Sequence, residues 1–143
     1  MISYADTGFL FSLYGRDANS AAAIELAKSQ PTFLVTPLIE TEFANAVELR
    51  LFRNEWMEGE ARMVQDLFDQ HQKAGLLQAA SLSDAIWQEA LSLSRRYSRN
   101  FGTRTLDVLH VATALILEAD VFFTFDKRQR KLAKAIHVPV LPA

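Results

Sequence analysis

Residues 119–130 read ADVFFTFDKRQR. The run Val121-Phe122-Phe123-Thr124-Phe125 is short, almost wholly apolar and rich in aromatic residues. It predicts a strand covered on both faces, because a strand with one wet face would alternate apolar and polar positions. Asp126 ends the run, and a basic helix is predicted over 127–136. Upstream, Thr105 opens LDVLHVATALILEA, a helix apolar nearly all round, which requires neighbours on several sides. Downstream, Val138 to Leu141 reads as a last strand.

The same alternation recurs toward the N-terminus. Ile2 to Ala5 is a short apolar run ending at Asp6, and Gly8, Phe9, Leu10, Leu13 and Tyr14 then recur at helical spacing. Asp17 or Asn19 can cap a second helix, with Ala22, Ala23, Leu26 and Ala27 on its inner stripe and Pro31 as its break. Phe33-Leu34-Val35 is a second strand. Thr36-Pro37 then starts a helix to about Phe52, since proline suits the first helical position. Residues 55–74 predict an amphipathic helix with Trp56, Met63, Leu67 and Phe68 on its apolar side, ended by Gly75. A third strand falls within Leu76 to Leu82. A helix follows from Ser83 to about Tyr97, and residues 98–104 read as a loop. Strands that alternate with helices and lack internal alternation predict an α/β fold. The expectation is one domain over residues 1–143, a three-layer α/β/α arrangement around a short-stranded parallel sheet.

Half of the 143 residues are hydrophobic and 22% are charged, a globular composition. With no cysteine, disulfides, thiolate zinc sites and Cys nucleophiles are excluded. The N-terminus has no basic, apolar leader pattern, and no apolar run is long enough for a membrane span, so a cytoplasmic protein is expected. The net charge of −2 argues against a general polyanion binder, but its distribution is uneven. Residues 1–94 carry six basic and thirteen acidic side chains, whereas residues 95–143 carry nine basic and four acidic ones. Such asymmetry fits either a polyanion-facing surface or a solvated basic face.

Asp6 and Asp126 each stand directly after a predicted strand, and thus at the carboxyl edge of the sheet, where sites of such folds lie. Glu42 and Asp107 lie near the starts of helices that can reach the same edge. Converging carboxylates repel one another unless a cation sits between them, and oxygen-only ligands suit Mg²⁺ or Mn²⁺. Each aspartate taken alone reads as a helix cap, a place where Asp is strongly preferred. Among Glu40, Glu42 and Glu48, spacing alone does not single out one. His110, three residues after Asp107 in an apolar helix, reads as a hydrogen-bonded core histidine, and the three histidines form no zinc motif.

DTGFL at 6–10, TPLIETEFANA at 36–46, TRTLDVLHVATAL at 103–115 and FFTFDKRQRKLA at 122–133 together resemble PIN-domain ribonucleases, most closely the VapC-type toxins of toxin–antitoxin pairs. The resemblance implies that Asp6, Glu42, Asp107 and Asp126 form an acidic quartet. It selects Glu42 because Asn45 follows three residues later. Asp6, Asp107 and Asp126 would hold Mg²⁺ or Mn²⁺, Glu42 would position the attacking water, and Thr7 and Thr124 would orient the carboxylates. The implied reaction is hydrolysis of an RNA phosphodiester to a 3′-hydroxyl and a 5′-phosphate. The implied partners are RNA, a cognate antitoxin and a second copy in a homodimer. Gly8 stands where Ser or Asn is frequent in the family, and Ile136-His137 replaces the usual glycine after the last helix.

Arg104, Lys127 and Arg128 flank the acidic positions and are candidate RNA contacts. Tyr97 and Phe101, interleaved with arginines, read as packing residues. A receiver-type phosphoacceptor would need an acidic pair after the first strand and an Asp after the third. A haloacid-dehalogenase-type phosphatase would need D-x-D where this chain has D-T-G. The remaining alternative is a non-catalytic PIN-like domain that binds protein or RNA.

Overall fold

The computed structural model describes residues 1–30 and 32–143, so the helix break predicted at Pro31 lies outside the described residues. Five strands, β1 (Ser3–Ala5), β2 (Phe33–Val35), β3 (Leu77–Ala79), β4 (Val121–Phe123) and β5 (Val140–Leu141), form one parallel sheet in the order β3-β2-β1-β4-β5. The helices are α1 (Thr7–Tyr14), α2 (Ser20–Ala27), α3 (Pro37–Phe52), α4 (Glu58–Lys73), α5 (Asp84–Phe101), α6 (Thr105–Ile116) and α7 (Lys127–Ala135).

The chain steps outward from β1 to β3 and then resumes on the other side of β1 with β4. Right-handed crossovers running in opposite directions put their helices on opposite faces of the sheet. Accordingly, α1 packs with α2, α3 and α4, while α5, α6 and α7 pack together. The result is the α/β/α layering that the sequence predicts. Strand order reverses between β1 and β4, so the loops leaving their carboxyl ends diverge and open a crevice. Asp6 follows β1 and Thr124 follows β4 at that point.

The sheet is short but densely covered. Tyr4, Phe122 and Phe123 are fully buried on it, and eight consecutive residues of α6, Asp107 to Ala114, are buried. Phe9 packs against Phe123 at 5.1 Å and Phe125 at 5.2 Å between ring centroids. A second aromatic group joins α1, α3 and α4, with the Phe43 and Phe68 rings stacked at 4.1 Å. Among the described residues no helix is long and apolar enough to cross a membrane.

Three local expectations need correction. The predicted loop at 98–104 is helical as far as Phe101, and α5 ends only at Gly102, whose φ of 66° is the left-handed conformation that glycine adopts freely. Polar residues had masked that last turn. Trp56 is not on α4 but in the turn before it, stacked on Phe11 at 5.1 Å with the Arg50 guanidinium over both rings. The buried face of α4 is Ala61, Val64 and Phe68; Met63 and Leu67 point outward because the stripe passes through the small Ala61 instead.

Two positions carry predictions. A Cβ at Gly15 would lie 2.8 Å from Trp56 Cη2 and 2.9 Å from the Phe11 carbonyl oxygen. Gly15→Ala is therefore expected to destabilise the fold by about 1–3 kcal/mol, the usual cost of overpacking, read from the urea midpoint. His137 holds φ 62° where α7 gives way to β5. A non-glycine residue there bears about 1–2 kcal/mol of steric cost, partly offset by its lower entropy in the unfolded chain. His137→Gly is expected to raise stability by roughly 0.5–1 kcal/mol, measured the same way.

Candidate active site

Each aspartate of the site is fixed by the helix it begins. Asp6 is the N-cap of α1: Oδ1 accepts from the Phe9 N–H at 2.8 Å, and Oδ2 accepts from Thr124 Oγ1 at 2.8 Å. Asp126 caps α7, its Oδ1 accepting from the Arg128 and Gln129 N–H groups at 2.9 Å each. Asp107 lies in the first turn of α6, where Oδ2 accepts from the Arg104 N–H at 2.9 Å and Oδ1 from Gln129 Nε2 at 3.1 Å. The capping reading of these residues is thus correct as local structure. It does not exclude chemistry, since a carboxylate oxygen can accept more than one partner.

Glu42 is held differently. It projects from the middle of α3 and is half-buried. Its Oε1 accepts from Thr7 Oγ1 at 2.7 Å and lies 2.8 Å from His110 Nε2. His110 is buried, as the sequence predicts. Its partners, Glu42 on α3 and Tyr4 on β1, were not legible because they lie far away in the chain.

One cleft of about 370 Å³ is lined by Asp6, Thr7, Gly8, Glu42, Arg104, Asp107, His110 and Gln129. Asp126 stands outside its lining but raises the pKa of Asp6. Burial is the main cause of the raised Asp6 pKa; the His110 ring, the Phe9 N–H and the Thr124 hydroxyl oppose it. Glu42 goes the other way. Burial pushes it up, but the hydrogen bond and charge of His110 and the Thr7 hydroxyl outweigh burial and the nearby Asp107, and its pKa falls below the ordinary value. Two carboxyl groups in one cleft are therefore driven apart, which lets one remain ionised while the other more readily keeps a proton.

Among the described residues no three His, Asp or Glu side chains close into a metal cage. The donor set nevertheless fits a hard divalent ion. Asp6, Glu42 and Asp107 line the same cleft, and the buried Gln129 Oε1 beside them has no hydrogen-bond partner. Carboxylate and amide oxygens are the ligand type such an ion prefers. Gln129 was missed from sequence; its signal was its place in the first turn of α7, three residues after Asp126.

Three of the carboxylates, Asp6, Glu42 and Asp107, thus line one cleft near the reversal between β1 and β4, with Asp126 outside its lining, and the comparisons with known proteins bear on the same stretch of chain. The sequence profile of the PIN domain matches residues 3–135. The chain belongs to the PIN-domain family. Solved structures share this PIN fold at low identity. The sarcin-ricin loop-cleaving toxin VapC20 of Mycobacterium tuberculosis is 14% identical, with TM-score 0.70 over 90% of this chain and 93% of that one. FitAcB of Neisseria gonorrhoeae is 15% identical, with TM-score 0.68 over 97% and 96%. VapBC2 of Rickettsia felis, bound to a DNA fragment from its promoter, is 14% identical, with TM-score 0.65 over 98% and 97%. No curated protein matches the sequence.

On this PIN domain one of the three basic positions singled out in the sequence lines the cleft. Arg104 lines it and caps α6, while Lys127 and Arg128 are exposed at the start of α7. A neighbouring cavity shares Thr7, Gly8 and Glu42 and adds Arg50 of α3 and Arg53 at its C-terminal end, two basic residues outside the charge-rich stretch beyond residue 94. Tyr97 and Phe101 stack on each other at 5.7 Å and pack against the core.

Proposed function

We propose that this PIN domain is a divalent-cation-dependent endoribonuclease and the toxin of a toxin–antitoxin pair. The observation that carries the reading is the joint lining of one cleft by Asp6, Glu42 and Asp107, with Asp126 electrostatically coupled to Asp6. Asp6, Asp107 and Asp126 would hold Mg²⁺ or Mn²⁺, with Thr7 and Thr124 fixing the carboxylates. Such an ion, when bound, lowers the pKa of water and neutralises charge developing on a phosphoryl group. Glu42, kept ionised, orients the attacking water and accepts its proton. Arg104, Lys127 and Arg128 bind the flanking phosphates and draw RNA toward an otherwise acidic edge. The antitoxin partner draws on the sequence motifs and on a toxin–antitoxin complex from Klebsiella pneumoniae among the structural neighbours, and the homodimer on the motifs alone.

The test is to incubate the protein with RNA in Mg²⁺ or Mn²⁺ and analyse the new ends. Attack by water predicts 5′-phosphates and 3′-hydroxyls. Cyclic 2′,3′-phosphates would contradict it. Absence of cleavage and of ion binding would leave the non-catalytic interaction domain.

A further inference from the structure

Glu42 reaches the cleft from a helix face that is partly open to solvent, on a side chain with three rotatable bonds. Left to itself such a side chain samples several rotamers, and holding it in one costs entropy. Here it is held from inside the protein. Tyr4 Oη lies 2.7 Å from His110 Nδ1, and His110 Nε2 lies 2.8 Å from Glu42 Oε1. Thr7 Oγ1 adds its bond to the same oxygen at 2.7 Å. Tyr4 and His110 are both buried, and their ring centroids are 6.0 Å apart. The chain of contacts runs from β1 through α6 to α3, with Thr7 of α1 closing it.

We propose that His110 is a positioning residue: anchored by Tyr4, it holds Glu42 by Oε1 and leaves Oε2 as the oxygen that faces the reacting water. This deepens the nuclease reading and rests on it for its kinetic consequence. The direction of the bonds follows from the donors available. Burial keeps the Tyr4 hydroxyl protonated, and it meets Nδ1 at 2.7 Å. An ionised Glu42 can only accept, so Nε2 is the donor of the 2.8 Å bond to Oε1. Partners of this kind fix ring orientation and tautomer and typically change activity when removed. Among the described residues both recorded bonds to Glu42 fall on Oε1. A histidine needed only for packing would be satisfied by any two core hydrogen-bond partners, and would have no reason to hold a half-exposed carboxylate at the cleft.

Two measurements test it. Nitrogen NMR of the His110 ring reads the geometry without requiring activity. A protonated Nε2 whose ring signals change in both Tyr4→Phe and Glu42→Gln supports the proposal. A ring indifferent to both substitutions overturns it, whether or not the protein cleaves RNA. Kinetics read the consequence. Tyr4→Phe, which removes one hydroxyl, and His110→Gln are each expected to lower kcat by roughly 10–100-fold with KM for RNA little changed. In a Glu42→Gln background His110→Gln should cost nothing further, since the residue it positions is gone. Unchanged kcat in folded Tyr4→Phe and His110→Gln, or a loss that adds fully to that of Glu42→Gln, overturns the proposal.

Discussion

Asp6→Asn is expected to abolish RNA cleavage while making the ion-free protein more stable at neutral pH. The loss of rate follows from removing a ligand from the proposed ion site. The electrostatic stabilisation such an ion supplies is several kcal/mol, so the fall should be about 10³-fold or more. The gain in stability follows from burial. The Asp6 carboxyl is buried, and desolvation raises its pKa above that of the unfolded chain. Above about pH 4, the ordinary aspartate value, the unfolded chain releases the proton first. The folded state then binds more protons, so wild-type stability falls as pH rises until the folded pKa is passed, and stays reduced beyond it. Asparagine does not ionise. Its oxygen can still accept the Phe9 N–H, and its amide can donate to Thr124 Oγ1. In EDTA the variant should melt above wild type at pH 8, with the gap closing toward pH 4. Adding Mn²⁺ should reverse the order, because an ion that binds only the folded wild type raises its Tm by mass action. A variant that melts below wild type in EDTA at pH 8 would contradict the account of Asp6.

Phe9→Ala should produce the largest loss of stability at a single position, about 3–5 kcal/mol of the 5–15 kcal/mol typical of a domain. Phe9 is fully buried where α1 lies across the sheet, in contact with Phe33, Phe123 and Phe125. Truncation leaves a cavity bounded by β2, β4 and the loop after β4, elements too constrained to collapse into it. Its N–H also holds Asp6 Oδ1, so loosening at this position reaches the carboxylate. Chemical denaturation should show a large drop in midpoint. A loss below about 1 kcal/mol would mean that the sheet does not pack on α1 as described.

The architecture was legible where local physics decides it. A strand of three residues covered on both faces has no alternation to display, and VFF at 121–123 and FLV at 33–35 show none. Thr36-Pro37 announces α3 through a threonine cap and a proline whose missing N–H costs nothing at that position. Strand order was not legible, because nothing local to Ser3–Ala5 says that β4 rather than β3 will lie beside it. The end of α5 escaped for the opposite reason: polar residues 98–100 look like a loop, and only the left-handed Gly102 marks the stop. Within the cleft, the aspartates declared themselves by following strands or opening helices. Glu42 needed the family motif, since Glu40 and Glu48 compete with it on the same helix. Its pairing with His110, 68 residues away, and the contact of Gln129 with Asp107 are tertiary facts with no local trace.

Cleavage of one end-labelled RNA by wild type and by Asp6→Asn, each in Mn²⁺ and in EDTA, tests the central claim most directly. The account predicts cleavage by wild type in Mn²⁺ alone, with none by the variant in either condition. Equal cleavage by wild type and a folded Asp6→Asn, or cleavage by wild type that persists in EDTA, would contradict it.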